Sequence, residues 1–363
     1  MREPSRVGAF VRDARCQVFV RRSSPDRHTP GIWDLVGGDV VPGEDPERAL
    51  AREVARQTGW TVRRVEARLG TRDWEVAGVR RQEWSYLVEV DGDLAAPRLS
   101  PGNHYAYAWV GRDNLDLVMA GHSDGDRRLR DLVAKATRLR LSERLRLEPI
   151  GPEHAEDLWR VHQDPAVAAW LGGRYSVGEA RGRATSAARA WESTGVDKWM
   201  AYERTTGELI GRGGLSWSEV DGRVGLEVGW TVRGDRWGCG YGTEIGRAAL
   251  AFAFDELGAA DVVACTERHN RRSRAVMERL GMRFVREVIG RAVSGRGANG
   301  RPAGRGVTGQ GPAGWRDGLP ERASFVLYAI TRRAWTAQAG GPIPRQTPAD
   351  RAGAPWTSQS APM

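Results

Sequence analysis

Cysteine and lysine are the scarce residues of this chain. Its 363 residues include three cysteines, Cys16, Cys239 and Cys265, too far apart to form a disulfide framework or a zinc cluster. Lysine occurs only at positions 135 and 198, so nearly every base is an arginine. A GC-rich coding bias explains that usage as well as selection for phosphate does. Long apolar runs are also missing. The longest goes from Ala248 to Phe254, which excludes a membrane-spanning helix. The first residues, MREPSRVGAFVRD, carry charges where a signal peptide needs an apolar stretch. These absences predict a soluble, cytoplasmic protein with no membrane partner and no structural metal.

The net charge of +9 invites a nucleic-acid reading, so its location matters. Between Arg291 and Arg322 there are six arginines against Asp317 and Glu321, a net of +4. Beyond Ala337 come Arg345, Asp350 and Arg351, a net of +1. More than half of the excess thus sits in two stretches that read as disordered: a Gly/Arg-rich insert at 291–322 and a Pro/Ala/Gly-rich tail at 337–363. Nucleic acid is not an expected partner.

At about 150 residues per domain, the length predicts two domains. The first occupies residues 1–137. Val7–Val11, Gln17–Val20, Glu83–Val90 and Tyr105–Val110 alternate as strands. A helix is expected from Asp45, a good N-cap followed by Pro46, to Thr58, with Gly59 ending it. A basic helix at 127–138 closes the unit. The second domain takes 138–290 plus 323–336, in the order β-α-α-β-β-β-α-β-α-β-β. Its helices are expected at 154–162, 178–193, 243–257 and 271–280.

The sharpest signal is Arg236-Trp237-Gly238-Cys239-Gly240-Tyr241-Gly242-Thr243-Glu244, set between a strand and a helix. The helix shows one apolar stripe: Ile245, Ala248, Ala249, Phe252 and Leu257. Its N-terminus would point free N–H groups at the loop, and the glycines would let a diphosphate approach them. A tight strand-to-helix turn is the plain alternative.

This stretch resembles the acyl-CoA-binding signature of the GNAT acetyltransferases, Gln/Arg-x-x-Gly-x-Gly/Ala, with Gly240 and Gly242 matching. Trp237 stands where Gln or Arg is usual, as it often does in the branch that acetylates ribosomal-protein N-termini. His269-Asn270-Arg271-Arg272-Ser273, Met277–Met282, Leu327–Thr331 and Trp335 resemble other stretches of that branch. The resemblance implies a mixed-sheet GNAT fold and acetyl-CoA as the acetyl donor. It implies coenzyme contacts from Val232, Trp237, Gly238, Cys239, Gly240, Tyr241, Gly242, Thr243, Asn270 and Ser273.

The chemistry brings an amine to a thioester, and the amine must first be neutral. An α-amine with a pKa of about 7.7–8 loses its proton far more readily than lysine at about 10.4. In Leu226–Val232 the bulky apolar residues share one strand face, and Glu227 lies on the other with Gly229 and Thr231. Glu227 is the candidate base; a solvated carboxylate is its plain alternative. The tyrosine acid of many GNAT enzymes is replaced here by Met277, so proton return falls to water or Ser273. Asn270 could bond the pantetheine arm or cap a helix. Cys239 as an acyl-carrying nucleophile has no His nearby in sequence. Trp170, Trp199 and Trp217 are candidates for the acceptor groove, although core positions suit them better.

In the first domain, Gly38, then Glu44 after five residues, Arg52-Glu53-Val54 after seven more, and Gly59-Trp60 resemble the Nudix box, G-x5-E-x7-R-E-U-x-E-E-x-G-U. The resemblance implies an α/β/α sandwich. The whole chain is then of the α/β (α+β) class: a degenerate Nudix domain followed by a GNAT domain. In the family, carboxylates at positions 53, 56 and 57 hold Mg2+ against a diphosphate. This chain has Glu53, Arg56 and Gln57, and Val41 where another Glu is frequent. Metal-assisted hydrolysis would have to rest on Glu44 and Glu53. A nucleotide-like ligand or a scaffolding role is the expectation, with Arg56 a direct phosphate partner and His28, His104 and Glu83 lining a remnant cleft. The leading reading is an N-acetyltransferase acting on a primary amine, such as a protein N-terminus, an aminoglycoside or a small amine. Nudix hydrolysis and RNA binding through the insert are the alternatives.

Overall fold

The computed structural model describes residues 5–23, 31–76, 79–99, 104–119, 124–220, 222–289, 293–295 and 324–338. It divides into a first unit ending at Leu139 and a second beginning at Arg140, two residues beyond the boundary expected from sequence.

The first unit is built on two sheets. One has the order β4-β1-β6-β5, formed by β1 (Arg6–Val11), β4 (Val36–Asp39), β5 (Thr61–Val76) and β6 (Val79–Asp91). In it β1 pairs parallel with β6 and antiparallel with β4. The other has the order β3-β2-β7, from β2 (Val18–Ser23), β3 (Trp33–Asp34) and β7 (His104–Val110). The helix α1 (Pro46–Thr58) forms as its ends dictate. Asp45 accepts hydrogen bonds from the amides of Glu47 and Arg48, at 3.0 and 3.1 Å. Gly59 closes the helix at φ 74°, which a side chain would oppose. The apolar face of α1, Ala49, Leu50 and Val54, packs on Val7, Ala9 and Val11 of β1 and on Trp60 and Tyr86. A second helix, α2 (Asp124–Arg138), lays Leu132 against Gly70 of β5.

The second unit has a sheet of order β14-β16-β13-β12-β11-β10-β9-β8. Its strands are β8 (Arg140–Leu141), β9 (Leu145–Pro149), β10 (Lys198–Glu203), β11 (Leu209–Val220), β12 (Arg223–Val232), β13 (Asp261–Glu267), β14 (Arg283–Ile289) and β16 (Ser324–Thr331). The short β15 (Val293–Gly295) pairs with β11. Helices α3 (Ala155–Gln163), α4 (Pro165–Ala168) and α5 (Val177–Ser193) precede β10. Helix α6 (Tyr241–Ala251) follows β12, α7 (Arg271–Arg279) follows β13, and α8 (Arg332–Gln338) follows β16. One face of the sheet buries Leu215, Leu226 and Val228 against Ile245 and Ala249 of α6. The other packs Met200 and Tyr202 against Leu158, Val161, Ala184 and Ala187 of α3 and α5.

The helix expected from Thr243 starts at Tyr241 and widens into a π turn over Phe252–Glu256. The expected insert at 291–322 falls outside the described residues except for 293–295, which form a strand, and the expected tail is described only at 337–338, the end of α8. Among the described residues, no helix is long and apolar enough to cross a membrane.

Candidate functional site

The strands β12 and β13 run parallel but share a single ladder pair, Glu227 with Val263. Beyond it they separate. Arg233 donates its amide to Ile210 of β11 at 3.0 Å. Main-chain groups alternate along a strand, so those of Trp230 and Val232 point towards β13 and the widening gap. The Val232 carbonyl there accepts the Trp237 indole N–H at 2.7 Å, which fixes the entry of the glycine loop.

Two left-handed residues shape that loop, Gly238 at φ 81° and Gly240 at φ 84°. No atom lies within 4 Å of where a Cβ on Gly238 would stand, so its conformation, not space, requires glycine. The amides of residues 238–242 are aligned by this turn, and among the described residues none has an acceptor. Next in line, the Thr243 hydroxyl is buried and without a partner. Five free amides, an orphaned hydroxyl and the positive end of α6 fit a diphosphate. Surrounding ion pairs hold the cradle rigid. Glu244 accepts from Ser142 at 2.7 Å and from the Arg144 amide and side chain at 2.8 Å. Burial works to raise the Glu244 pKa, but these bonds leave it lowered overall. Arg236 pairs with Glu208 at 2.5 Å, and Asp164 accepts the Gly234 amide at 2.6 Å.

Sequence reasoning missed Arg272. Its guanidinium lies 4.8 Å from the Trp237 ring centroid, beside the loop, a cation placed where phosphate would need one. Cys239 is exposed, and its nearest polar partner is the Trp237 carbonyl at 3.7 Å.

Of the expected reacting residues, Glu227 stands at the single rung between β12 and β13, and Asn270 and Ser273 lie at the start of α7, which follows β13. Glu227 is half-buried, and its carboxylate has no hydrogen bond or ion pair among the described residues. Asn270 caps α7, accepting the Ser273 amide at 3.0 Å, while its NH2 group has no hydrogen-bond partner among the described residues. Ser273 is half-buried on the first turn of α7. Met277 is buried in the core. Of the three tryptophans, Trp199 is fully buried, Trp170 lies beside His269 at 5.3 Å, and Trp217 is 38% exposed. Sequence reasoning also missed a group on the Glu227 face: Lys198, Arg212 and His162.

The Nudix-box helix has a different chemistry from the one its spacing implies. Arg52 bridges Glu44, at 2.9 Å, and Glu53. Arg56 also pairs with Glu53 at 2.5 Å, and the Gln57 amide donates to the same carboxylate. Burial works to raise the Glu53 pKa, yet bonds from Arg56 and Gln57 leave it lowered. The Arg52 bonds hold Glu44 down to about 2. One buried carboxylate already neutralised by two guanidiniums does not fit Mg2+, which needs several anionic oxygens. Glu83 is likewise engaged, by Arg6 at 3.2 Å. His28 lies outside the described residues, and His104 opens β7. No cluster of metal-ligating side chains occurs among the described residues.

Comparison with known proteins gives two family matches: an acetyltransferase (GNAT) domain over residues 144–283 and a NUDIX domain over residues 2–132. The uncharacterized protein YkkB of Bacillus subtilis is 26% identical over 149 residues, 41% of this chain and 87% of that protein. The FsC-acetyl coenzyme A-N(2)-transacetylase of Aspergillus fumigatus is 31% identical over 151 residues, 39% of this chain and 63% of that protein. A solved MutT protein from Methanosarcina mazei is 26% identical and covers 38% of this chain and 96% of its own, with a TM-score of 0.30.

Proposed function

Because the chain joins an N-terminal NUDIX domain to a C-terminal GNAT acetyltransferase domain, we propose that it moves an acetyl group from acetyl-CoA to a primary amine bound beside it. The observation that carries this reading is the row of five unpartnered amides at 238–242, placed at a helix N-terminus and opening onto the β12–β13 gap. The A. fumigatus relative is named for acetyl coenzyme A and for a nitrogen position, which supports the same class of donor and acceptor.

In this reading Gly238 to Gly242 grip the coenzyme's diphosphate, with Thr243 and Arg272 completing the cradle. Trp230 and Val232 offer main-chain groups to the pantetheine arm, and Asn270 offers its NH2. Acetyl-CoA supplies the activated thioester. Holding donor and amine in line lowers the barrier by removing orientational freedom. Glu227 draws the proton from the amine, directly or through one water. The nitrogen forms a C–N bond as the C–S bond breaks, CoA leaves as the thiol, and water or Ser273 returns the proton to sulfur.

The first domain, by contrast, is read as a scaffold or a nucleotide-like binder, because the Glu53 carboxylate is committed to Arg52, Arg56 and Gln57. Calorimetry with acetyl-CoA, followed by a thiol-release screen against amines including peptides with free N-termini, tests the assignment. Heat of binding and amine-dependent CoA release are expected. No heat at millimolar ligand would overturn it. Mg2+-dependent nucleotide turnover lost in Glu53→Gln would favour hydrolysis instead, and RNA binding lost on deleting 291–322 would favour the third reading.

A further inference from the structure

On the face of the second sheet that carries Glu227, Lys198, Gly214 and Gly229 form one row across three strands. A Cβ on Gly229 would stand 3.4 Å from Lys198 Nζ, so the ammonium lies over that glycine. The next row holds Met200, Arg212 and Thr231, and the row on the other side holds Ser216 and Glu227. Same-face rows are about 6.6 Å apart along a strand. The two cations therefore occupy the two rows that follow the candidate base along this face of the sheet.

Neither cation is ion-paired among the described residues, although Glu227 and Asp197 act on Lys198, and Asp197 on Arg212, through space. Among the described residues, no carboxylate lies within 4.0 Å of Lys198 Nζ or of the Arg212 guanidinium. Arg212 is 9% exposed, and among the described residues its side chain makes one hydrogen bond, from Nε to His162 Nε2 at 3.2 Å. His162 is fully buried and stacked on Tyr175, ring centroids 3.5 Å apart. Because it accepts from a guanidinium, His162 is neutral, and burial and the Arg212 charge push its pKa down to about 2. It aims Arg212 without compensating it. Asp197, the nearby carboxylate, is spent: it binds Arg183 at 2.6 and 3.3 Å and accepts the Lys198 amide. A guanidinium buried to this degree without an ion pair is unusual, because the lost hydration is repaid only by more distant charge such as Asp197. An anion brought from outside the described residues would pair both cations.

We propose that Lys198 and Arg212 form an anion-binding floor in the acceptor cleft, and that the acceptor is an amine with a carboxylate a few bonds from the reacting nitrogen. The inference rests on the acetyltransferase reading above. The amine faces Glu227, and the carboxylate lies one row further, on the ammonium and the guanidinium fork, a pairing that suits carboxylate geometry. Polyamines and aminoglycosides would place like charges on this floor and are disfavoured. Two sources present the required chemistry: a free amino acid, and a peptide whose first residue is acidic.

The test compares kcat/KM of the full chain for matched acceptors: an amino acid and its carboxamide, and a peptide opening with Glu and its Gln counterpart. Preference for the acid by about tenfold or more is expected in the pair that represents the true source. The comparison is a stringent one, since the amide's amine is the more readily deprotonated. Lys198→Met and Arg212→Gln should each bring the ratio to about one, chiefly through KM, and Lys198→Arg should retain it. Should Arg212→Gln fail to fold in a thermal melt, the Met and Arg variants of Lys198 decide the matter. Equal rates on acid and amide in both pairs, or a ratio unmoved by Lys198→Met, would overturn the proposal. Calorimetric binding of acetyl-CoA to the unmodified protein separates the two readings. Heat with no acid preference overturns this inference alone, and no heat overturns both.

Discussion

Lys198 is held in a place that opposes its charge. Burial and the neighbouring Arg212 push its pKa down to about 8, with Glu227 offsetting part of the shift. An unfolded lysine titrates near 10.4. Below pH ~8 both states carry the proton, and the folded state bears the whole cost. Between the two values only the unfolded state is protonated, so stability rises with pH there. Lys198→Met should therefore raise the melting temperature near pH ~7, and the gain should shrink from pH ~8 towards ~10. Scanning calorimetry across that range checks this, and an unchanged or lower midpoint near neutrality would contradict it. Glu53 is the converse case. Burial opposes its charge, but Arg56 and Gln57 hold its pKa below the usual carboxylate value, so it stabilises the fold above that value and loses this contribution as pH falls through the folded one. Glu53→Gln takes the carboxylate from two half-exposed guanidiniums, one of which keeps Glu44, and should cost about 1 kcal/mol, read by denaturant unfolding. Replacing Arg56 and Gln57 together by Glu should create Mg2+ binding visible by calorimetry, because three carboxylates would then share one helix face.

Elements with strong local signals were legible in the sequence. Asp45, Pro46 and Gly59 bound α1 as their backbone preferences require, and the apolar stripe of α6 faces the core. The strand β5 was not legible. Its alternation is interrupted by register shifts at Val62/Arg64, Val65/Ala67 and Arg68/Gly70, which scramble the two-residue period. Nor could the apolar run at 248–254 reveal a π turn, which changes hydrogen bonding but not hydrophobicity. The candidate site divides the same way. The glycine loop and Glu227 announce themselves by composition and alternation. Lys198 and Arg212 do not, because only strand pairing places them in adjacent rows. The loop itself makes a sharp contrast between two substitutions. Gly238→Ala meets open space and should cost only the backbone strain, about 1–2 kcal/mol. Gly240→Asp sets a negative side chain at the head of the amide row and should weaken CoA binding at least a hundredfold in calorimetry, about 2.7 kcal/mol.

For the whole molecule, the proposed function predicts different responses of the two units to added ligands. Saturating acetyl-CoA, at about a hundred times its Kd, should stabilise the second unit by about 2.7 kcal/mol and raise its melting transition. Mg2+ at millimolar concentration should leave both transitions where they are, since the α1 carboxylate is already neutralised. A rise with Mg2+ alone would show that the ion-paired face opens to metal. The length led to an expectation of two domains, and the chain divides into two compact units, whereas the ion pairing of Glu53 depends on side-chain identity at positions 52, 53 and 56. The single rung between β12 and β13 has a mechanical consequence. The sheet is in effect two plates, β14-β16-β13 on one side and β12 to β8 on the other, meeting at a seam. A long thin molecule wedged along that seam would take the place of the missing rungs and splice the plates together, so that a donor bound there would be at once reactant and structural member.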